Sequence, residues 1–267
     1  MAMTTKEKEE IKLLIITCMK KKLKIYKQKN VMPFHARLLG NDRMALFSFI
    51  QSVNTTFGMA IYEPVAEKLA RNNSRFEKVE RGKKLKSVIS ADAQLAITDI
   101  QNKLQKSNRE NNQKKANQKE EIERIRSVCR KGSLTNIEVR QADIYLVDKD
   151  KMHYSIDIKT VKPNIDGFEK YKDNILKWTA AVLYEDPEAN VSAMLAMPYN
   201  PNYPEKYNHF TVREMIEYGT QLMVGEEFWD FLAGKDVYED LLDCFKCAGI
   251  EMRKDINKYF QKFHNNN

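Results

Sequence analysis

Cysteine is scarce in this sequence: Cys18, Cys129, Cys244 and Cys247 are the four among 267 residues. Only Cys244 and Cys247 are close, within a helical pattern and with no second pair or histidine nearby. A structural zinc wants four such ligands, so the pair reads as thiols on a helix face. Nowhere are there 18 consecutive apolar residues, so no transmembrane helix is expected and no membrane partner. The opening Met1–Glu10 lacks the basic-then-apolar order of a secretory signal, which makes a cytoplasmic location the expectation. No internal repeat is apparent. What the chain does have is charge. Charged residues make up 31% of it, above the usual quarter, and the balance is +8. That excess makes a polyanionic partner plausible without choosing which one. The length and the 42% apolar fraction suffice for a proper core.

The most informative stretch is Ala142–Val147, the polar turn Asp148–Lys151, and Met152–Lys159. Two β-branched and aromatic runs joined by a short turn predict a β-hairpin. Side chains alternate along a strand, so Tyr154, Ile156 and Ile158 share a face, and Ser155, Asp157 and Lys159 share the other. In the first run Ala142, Ile144 and Leu146 oppose Gln141, Asp143 and Tyr145. One face of the hairpin is then apolar and the other carries Asp143, Asp157 and Lys159. Charges on such strands are partly desolvated, and proteins tolerate them mainly when they are paired or bind metal.

Around the hairpin the pattern is mostly helical. Thr4 and Glu7 form a capping-box signature ahead of Ile11, Leu14, Ile15, Cys18 and Met19. The lysine cluster of Lys20–Lys29 is either a phosphate contact or a solvated helix face. Asn30–Asn41 reads as a connection and Asp42–Val53 as a helix. Pro64 has no amide hydrogen and should kink or restart a helix just after Glu63. A glutamate at such an irregular point can aim at a site, or simply sit at the surface. Another helix starts at Ser90, and Gln105–Glu121 is a polar stretch, either an exposed helix or a connector. After the hairpin, Phe168–Tyr184 is amphipathic and Asn190–Met197 is a short apolar run, plausible as a buried strand. Pro198–His209 is a loop, and helices are expected over Thr211–Met223, Glu226–Leu232, Val237–Cys247 and Glu251–Phe263.

Asp143 and Asp157, with Lys159 two residues on, suit metal-assisted phosphodiester hydrolysis. Two carboxylates and the backbone carbonyl of Ile158 are hard oxygen donors, the kind Mg²⁺ takes while keeping several waters. Lys159 would lie beside the metal, where it could orient or help deprotonate an attacking water. The bland alternative is an Asp and a Lys that pair in solvent.

At these residues the chain resembles the PD-(D/E)xK nuclease superfamily, and within it type II restriction endonucleases. The resemblance covers Asn54–Ala70, Arg140–Asp143, Asp157–Asn164, Phe168–Trp178 and Val224–Phe231, with Ala142 in place of the motif's proline. It implies an α/β fold: a central mixed sheet flanked by helices, in one domain over 1–267. That domain would have a mainly helical part at 1–130, a catalytic sheet core at 131–200 and a helical part at 201–267. It implies Mg²⁺, Asp143 and Asp157 at the metal, Lys159 at the water, and Glu63 as a further acid brought from a helix. It also implies double-stranded DNA as substrate, cut at a short palindrome by a homodimer, leaving 5′-phosphates. Arg140, Gln141, Lys162 and Asn164 are expected near the DNA. Base reading is expected from the loop residues Asn200, Asn202, Lys206, Asn208 and His209, side chains of the kind that contact base edges. The competing readings are a repair or recombination nuclease on the same core, and a DNA-binding protein with an inert one.

Overall fold

The computed structural model describes residues 2–26, 32–109, 115–159, 165–207 and 215–264. The chain divides into two compact units, one of residues 1–65 with 235–267 and one of residues 66–234. Among the described residues no single helix is long and apolar enough to cross a membrane.

The first unit is helical. Helix α1 (Thr5–Ile25) opens with the capping box: Thr4 Oγ1 accepts from the Glu7 amide at 3.2 Å, and the Glu7 carboxylate accepts from the Thr4 amide at 2.7 Å. Lys235 reinforces this cap and, with the Thr4 bonds, holds the Glu7 carboxyl down at about 2. Ile11, Ile15 and Ile16 are buried on one face of α1. The connection expected at Asn30–Asn41 contains a short helix, α2 (Pro33–Leu39), begun by a proline at its first position, where no amide hydrogen is missed. Helix α3 (Asn41–Thr56) runs into a π-helical turn, Phe57–Tyr62, before α4 (Glu63–Asn72). The Glu63 amide bonds to the Gly58 carbonyl, five residues back, and Pro64 follows at the next position. The proline's missing donor thus falls where the helix is already restarting.

The second unit is built on a five-stranded sheet. Its strands are β1 (Phe76–Lys83), β4 (Ala142–Asp148), β5 (Met152–Ile158), β6 (Asn190–Met197) and β7 (Leu222–Val224), in the spatial order β1-β4-β5-β6-β7. The first two pairings are antiparallel and the last two parallel, so the sheet is mixed. Two short strands, β2 (Val88–Ser90) and β3 (Leu134–Asn136), pair separately. Helices α5 (Ala91–Arg109) and α6 (Gln118–Arg126) precede the hairpin, α7 (Ile165–Glu185) joins β5 to β6, and α8 (Glu226–Ala233) follows β7. In the first unit again, α9 (Tyr238–Glu251) and α10 (Arg253–His264) end the chain.

The hairpin pairs as its alternation requires, Ile144 opposite Ile156 and Leu146 opposite Tyr154. Ile144, Leu146 and Ile156 are wholly buried, each worth roughly 1.5–3 kcal/mol. On that side Phe231 of α8 packs edge-on against Tyr154 and Phe76. In this sheet two features depart from the sequence expectations. β1 carries so many charges that it gives no strand signal. It is an edge strand with only Phe76 and Val79 buried, and charge is what an edge tolerates. Where a helix was expected up to Met223, Leu222–Val224 instead extends the sheet beside β6. Gly219 and Gly225, at φ +87° and +59°, turn the chain on either side of it. The beginning of that expected helix, 211–214, lies outside the described residues.

Candidate active site

Asp143 sits second on β4 and Asp157 next to last on β5, and the antiparallel register brings them to one face at one end of the hairpin. That face is not open. In the parallel ladder Ser155 lies beside Ala193 and Asp157 beside Leu195. Ala193 and Leu195 belong to the core that α7 covers with Phe168, Ile175 and Trp178. The acids therefore lie under the edge of a helix.

The contacts are close. The Ile158 amide donates to Asp143 Oδ2 at 2.7 Å. The Lys159 ammonium bonds to Asp157 Oδ1 and stands 4.0 Å from Asp143 Oδ2. The backbone amide of Lys159 continues the ladder by donating to the Ala196 carbonyl at 2.9 Å. The ammonium also lies 5.4 Å from the centre of the Tyr171 ring. Asp157 is 6% exposed, and its second oxygen, Oδ2, is buried without a hydrogen-bond partner. Burial pushes the Asp157 carboxyl up to about 7; Lys159 pulls it down and the charge of Asp143 pushes it further up.

A cation suits this arrangement. Asp143, Asp157 and the Ile158 carbonyl supply oxygens only, and the orphaned Asp157 Oδ2 is a buried acceptor in want of positive charge. No group of three or more His, Cys, Asp or Glu side chains gathers among the described residues. Two carboxylates and one carbonyl are few donors, and a hard cation held by so few keeps waters in its shell.

The other expected residues are placed as follows. Arg140 and Gln141 are exposed just before β4, where the Arg140 carbonyl accepts from the Trp178 indole at 2.7 Å. Asn200 spends both ends of its amide inside its own loop, donating to the Glu205 carbonyl and accepting from the Asn202 amide. Asn202 Oδ1 is buried without a partner, and Lys206 is exposed. Lys162, Asn164, Asn208 and His209 lie outside the described residues. Glu63 opens α4 in the first unit. Glu67, one turn on, is taken by Arg71 at 2.8 Å and Arg81 at 3.6 Å. Tyr171 has the helical spacing of a core residue with Phe168, Ile175 and Trp178, yet its ring lies beside the Lys159 ammonium.

Residues 3–249 match the family model described as type II restriction endonuclease, HinfI. The chain belongs to the HinfI family of type II restriction endonucleases. It is thus a nuclease of the PD-(D/E)xK superfamily acting on DNA, and the mixed sheet with its flanking helices is that superfamily's core. Among curated proteins it is similar to the type II restriction enzyme HgiCII of Herpetosiphon aurantiacus, 24% identical over 230 residues. That alignment covers 85% of this chain and 80% of the relative. It is also similar to the type II restriction enzyme MjaII of Methanocaldococcus jannaschii, 27% identical over 231 residues, covering 77% of this chain and 59% of that one. HgiEI, again from Herpetosiphon aurantiacus, is 24% identical over 234 residues, covering 87% and 82%.

Proposed function

We propose that this HinfI-family chain is a Mg²⁺-dependent, site-specific deoxyribonuclease. It would hydrolyse both strands of double-stranded DNA at a short palindrome and leave 5′-phosphate and 3′-hydroxyl ends. The observation that carries the reading is that Asp157 bonds the Lys159 ammonium through Oδ1, with Asp143 4.0 Å from the same ammonium, while its Oδ2 is buried without a partner. Family membership and the relatives' names as type II restriction enzymes support the substrate.

Asp143, Asp157 and the carbonyl of Ile158 would hold the ion. Once bound, Mg²⁺ supplies positive charge for the phosphate and lowers the pKa of a nearby water. Lys159 orients the attacking water and offsets charge building on the scissile phosphate. The water oxygen bonds to phosphorus and loses a proton to solvent as the bond to the 3′ oxygen breaks, and the departing 3′ oxygen takes a proton from solvent, leaving a 5′-phosphate and a 3′-hydroxyl. Burial keeps Asp157 out of bulk water, which strengthens its charge interactions. Lys206 and Asn202 are assigned to the DNA, together with Arg140, Gln141, Lys162, Asn164, Asn208 and His209. A palindromic target is matched by a two-fold homodimer, whose symmetry it shares.

The test is digestion of a long phage DNA with Mg²⁺, comparing the wild type with Asp143→Ala, Asp157→Ala and Lys159→Ala. Discrete fragments from the wild type and none from the three variants are expected, with all four folded by circular dichroism. A smear, or a preference for branched DNA, overturns site specificity. Substantial cleavage by Lys159→Ala overturns its role at the water.

A further inference from the structure

We infer that Tyr171 is a positioning residue for the Lys159 ammonium, its ring face holding the cation in place when the carboxylates are occupied by metal. The inference rests on the nuclease reading above and adds a residue to it.

Among the described residues, three groups of opposite or attractive character meet Lys159. These are the Asp157 oxygen it bonds, Asp143 at 4.0 Å, and the Tyr171 ring with its centroid at 5.4 Å. The first two are the carboxylates that would take the metal. A dication held by these carboxylates would offset both attractions and add a repulsion, and a four-carbon lysine stem has ample rotamer freedom to swing away. Of these three, the ring face is the contact that would survive. A cation within about 6 Å of an aromatic centroid is attracted by the ring's quadrupole, more so when water is excluded.

The ring is itself fixed. Tyr171 is half-buried and packs on the core beneath α7, and Phe168 meets it edge-on at 6.4 Å and 87°. Phe168 is fully buried one turn earlier. The next residue, Lys172, is also fully buried, its ammonium bound to both oxygens of Glu121 at 2.6 Å and to Gln221 at 2.8 Å. That anchor sets the rotation of the helix about its axis and so aims Tyr171 at Lys159. Holding a reacting group in one geometry is worth rate, because the freedom is lost before the reaction rather than during it.

The experiment compares wild type, Tyr171→Phe and Tyr171→Leu on a DNA fragment that the wild type cuts. Single-turnover rates are measured at saturating enzyme and Mg²⁺, and DNA affinity is measured without divalent ion. Tyr171→Leu is expected to cut roughly 2- to 30-fold more slowly at unchanged affinity, with Tyr171→Phe staying near the wild-type rate. Equal rates for all three overturn the inference, and equal losses in both variants assign the effect to the hydroxyl rather than the ring. A second readout needs no cleavage. With ¹³C-labelled lysine, the ε-methylene proton resonance of Lys159, assigned by its loss in Lys159→Arg, should be shifted upfield by the ring. That shift should persist in Tyr171→Phe and vanish in Tyr171→Leu. An unshifted Lys159 resonance in the wild type overturns the contact. A wild type that shows the shift yet cuts no DNA leaves the contact standing and overturns the nuclease reading instead.

Discussion

Replacing Lys172 by methionine keeps the length of the side chain and removes its charge from the interior of the second unit. Lys172 has no exposed surface, and all three ammonium hydrogens are used, two on Glu121 and one on Gln221. Gln221 returns a bond from its amide nitrogen to Glu121 at 2.7 Å, and its oxygen also accepts from the Glu217 amide at 3.2 Å. In Lys172→Met the Glu121 carboxylate, 6% exposed, keeps only the Gln221 donor among the described residues. Stranding one member of a buried ion pair costs about 3–5 kcal/mol. For a unit of this size that corresponds to a fall in Tm of about 6–20 °C. Glu121→Gln added to Lys172→Met removes the stranded charge and lets two amides pair, so the double variant should recover about 1–3 kcal/mol. Urea unfolding followed by Trp178 and Trp229 fluorescence measures both. A Lys172→Met protein within about 1 kcal/mol of wild type, or a double variant no better than the single, would refute the reasoning. The same variant should also slow cleavage, because α7 would lose the anchor that aims Tyr171.

Asp157 should make the metal-free protein less stable as the pH rises. Its folded pKa is raised from 3.8 to about 7, so the stability it contributes is full below 3.8 and lost as the pH climbs through 7. Asp157→Asn should therefore melt above wild type at pH 8 without divalent ion, with the gap closing towards pH 5, and a pH-independent gap refutes the assignment. Asp148 should behave in the opposite sense. Burial raises its pKa, but the Met152 amide, Arg75 and the Tyr154 hydroxyl prevail and hold it below its ordinary 3.8. Its stabilisation is present above 3.8 and is lost as the pH falls through the lower folded value. Arg75→Met should move acid unfolding, read by circular dichroism, to higher pH; an unmoved midpoint counts against that account. In the loop after β6, Asn202→Ala and Lys206→Ala should differ. The first should cost more affinity on the cut site than on random DNA, and the second should weaken both alike and flatten the salt dependence in filter binding. Equal losses for Asn202→Ala on the two DNAs would remove it from base reading.

The hairpin was legible because its signal is local: period-two alternation on both sides of a four-residue polar turn leaves a single register that buries Ile144, Leu146 and Ile156 together. The gathering of Asp143, Asp157 and Lys159 follows from that register alone. What covers them did not follow. Alternation says that Asp157 faces away from Ile156, but not that α7 lies over that side, because the parallel partner β6 comes some thirty residues later. Lys172 looked like the polar edge of an amphipathic helix. Its burial depends on Glu121 and Gln221, far away in the chain and each unremarkable in sequence. β1 was hidden by its own charges, which an edge strand can keep. The three-residue β7 was masked by an apolar stretch that reads equally well as helix.

The two buried aspartates of the hairpin make the argument for the site. Asp148, at the turn end, is 1% exposed and accepts hydrogen bonds from Arg75, Asp150, Met152 and Tyr154. Its folded pKa is depressed, as expected of an acid whose burial serves structure. Asp157, at the other end, is buried nearly as deeply, yet one of its oxygens has no partner and its pKa is raised. Glu121 shows that this unit can satisfy a buried carboxylate completely, with Lys172 and Gln221 closing around it. Asp157 is therefore not explained by a fold unable to pair its acids. An unsatisfied buried acceptor costs about 1–3 kcal/mol. Strain of this kind persists where a ligand relieves it, and the oxygen left over, beside Asp143 and a lysine held against an aromatic face, is the one a hard cation would take.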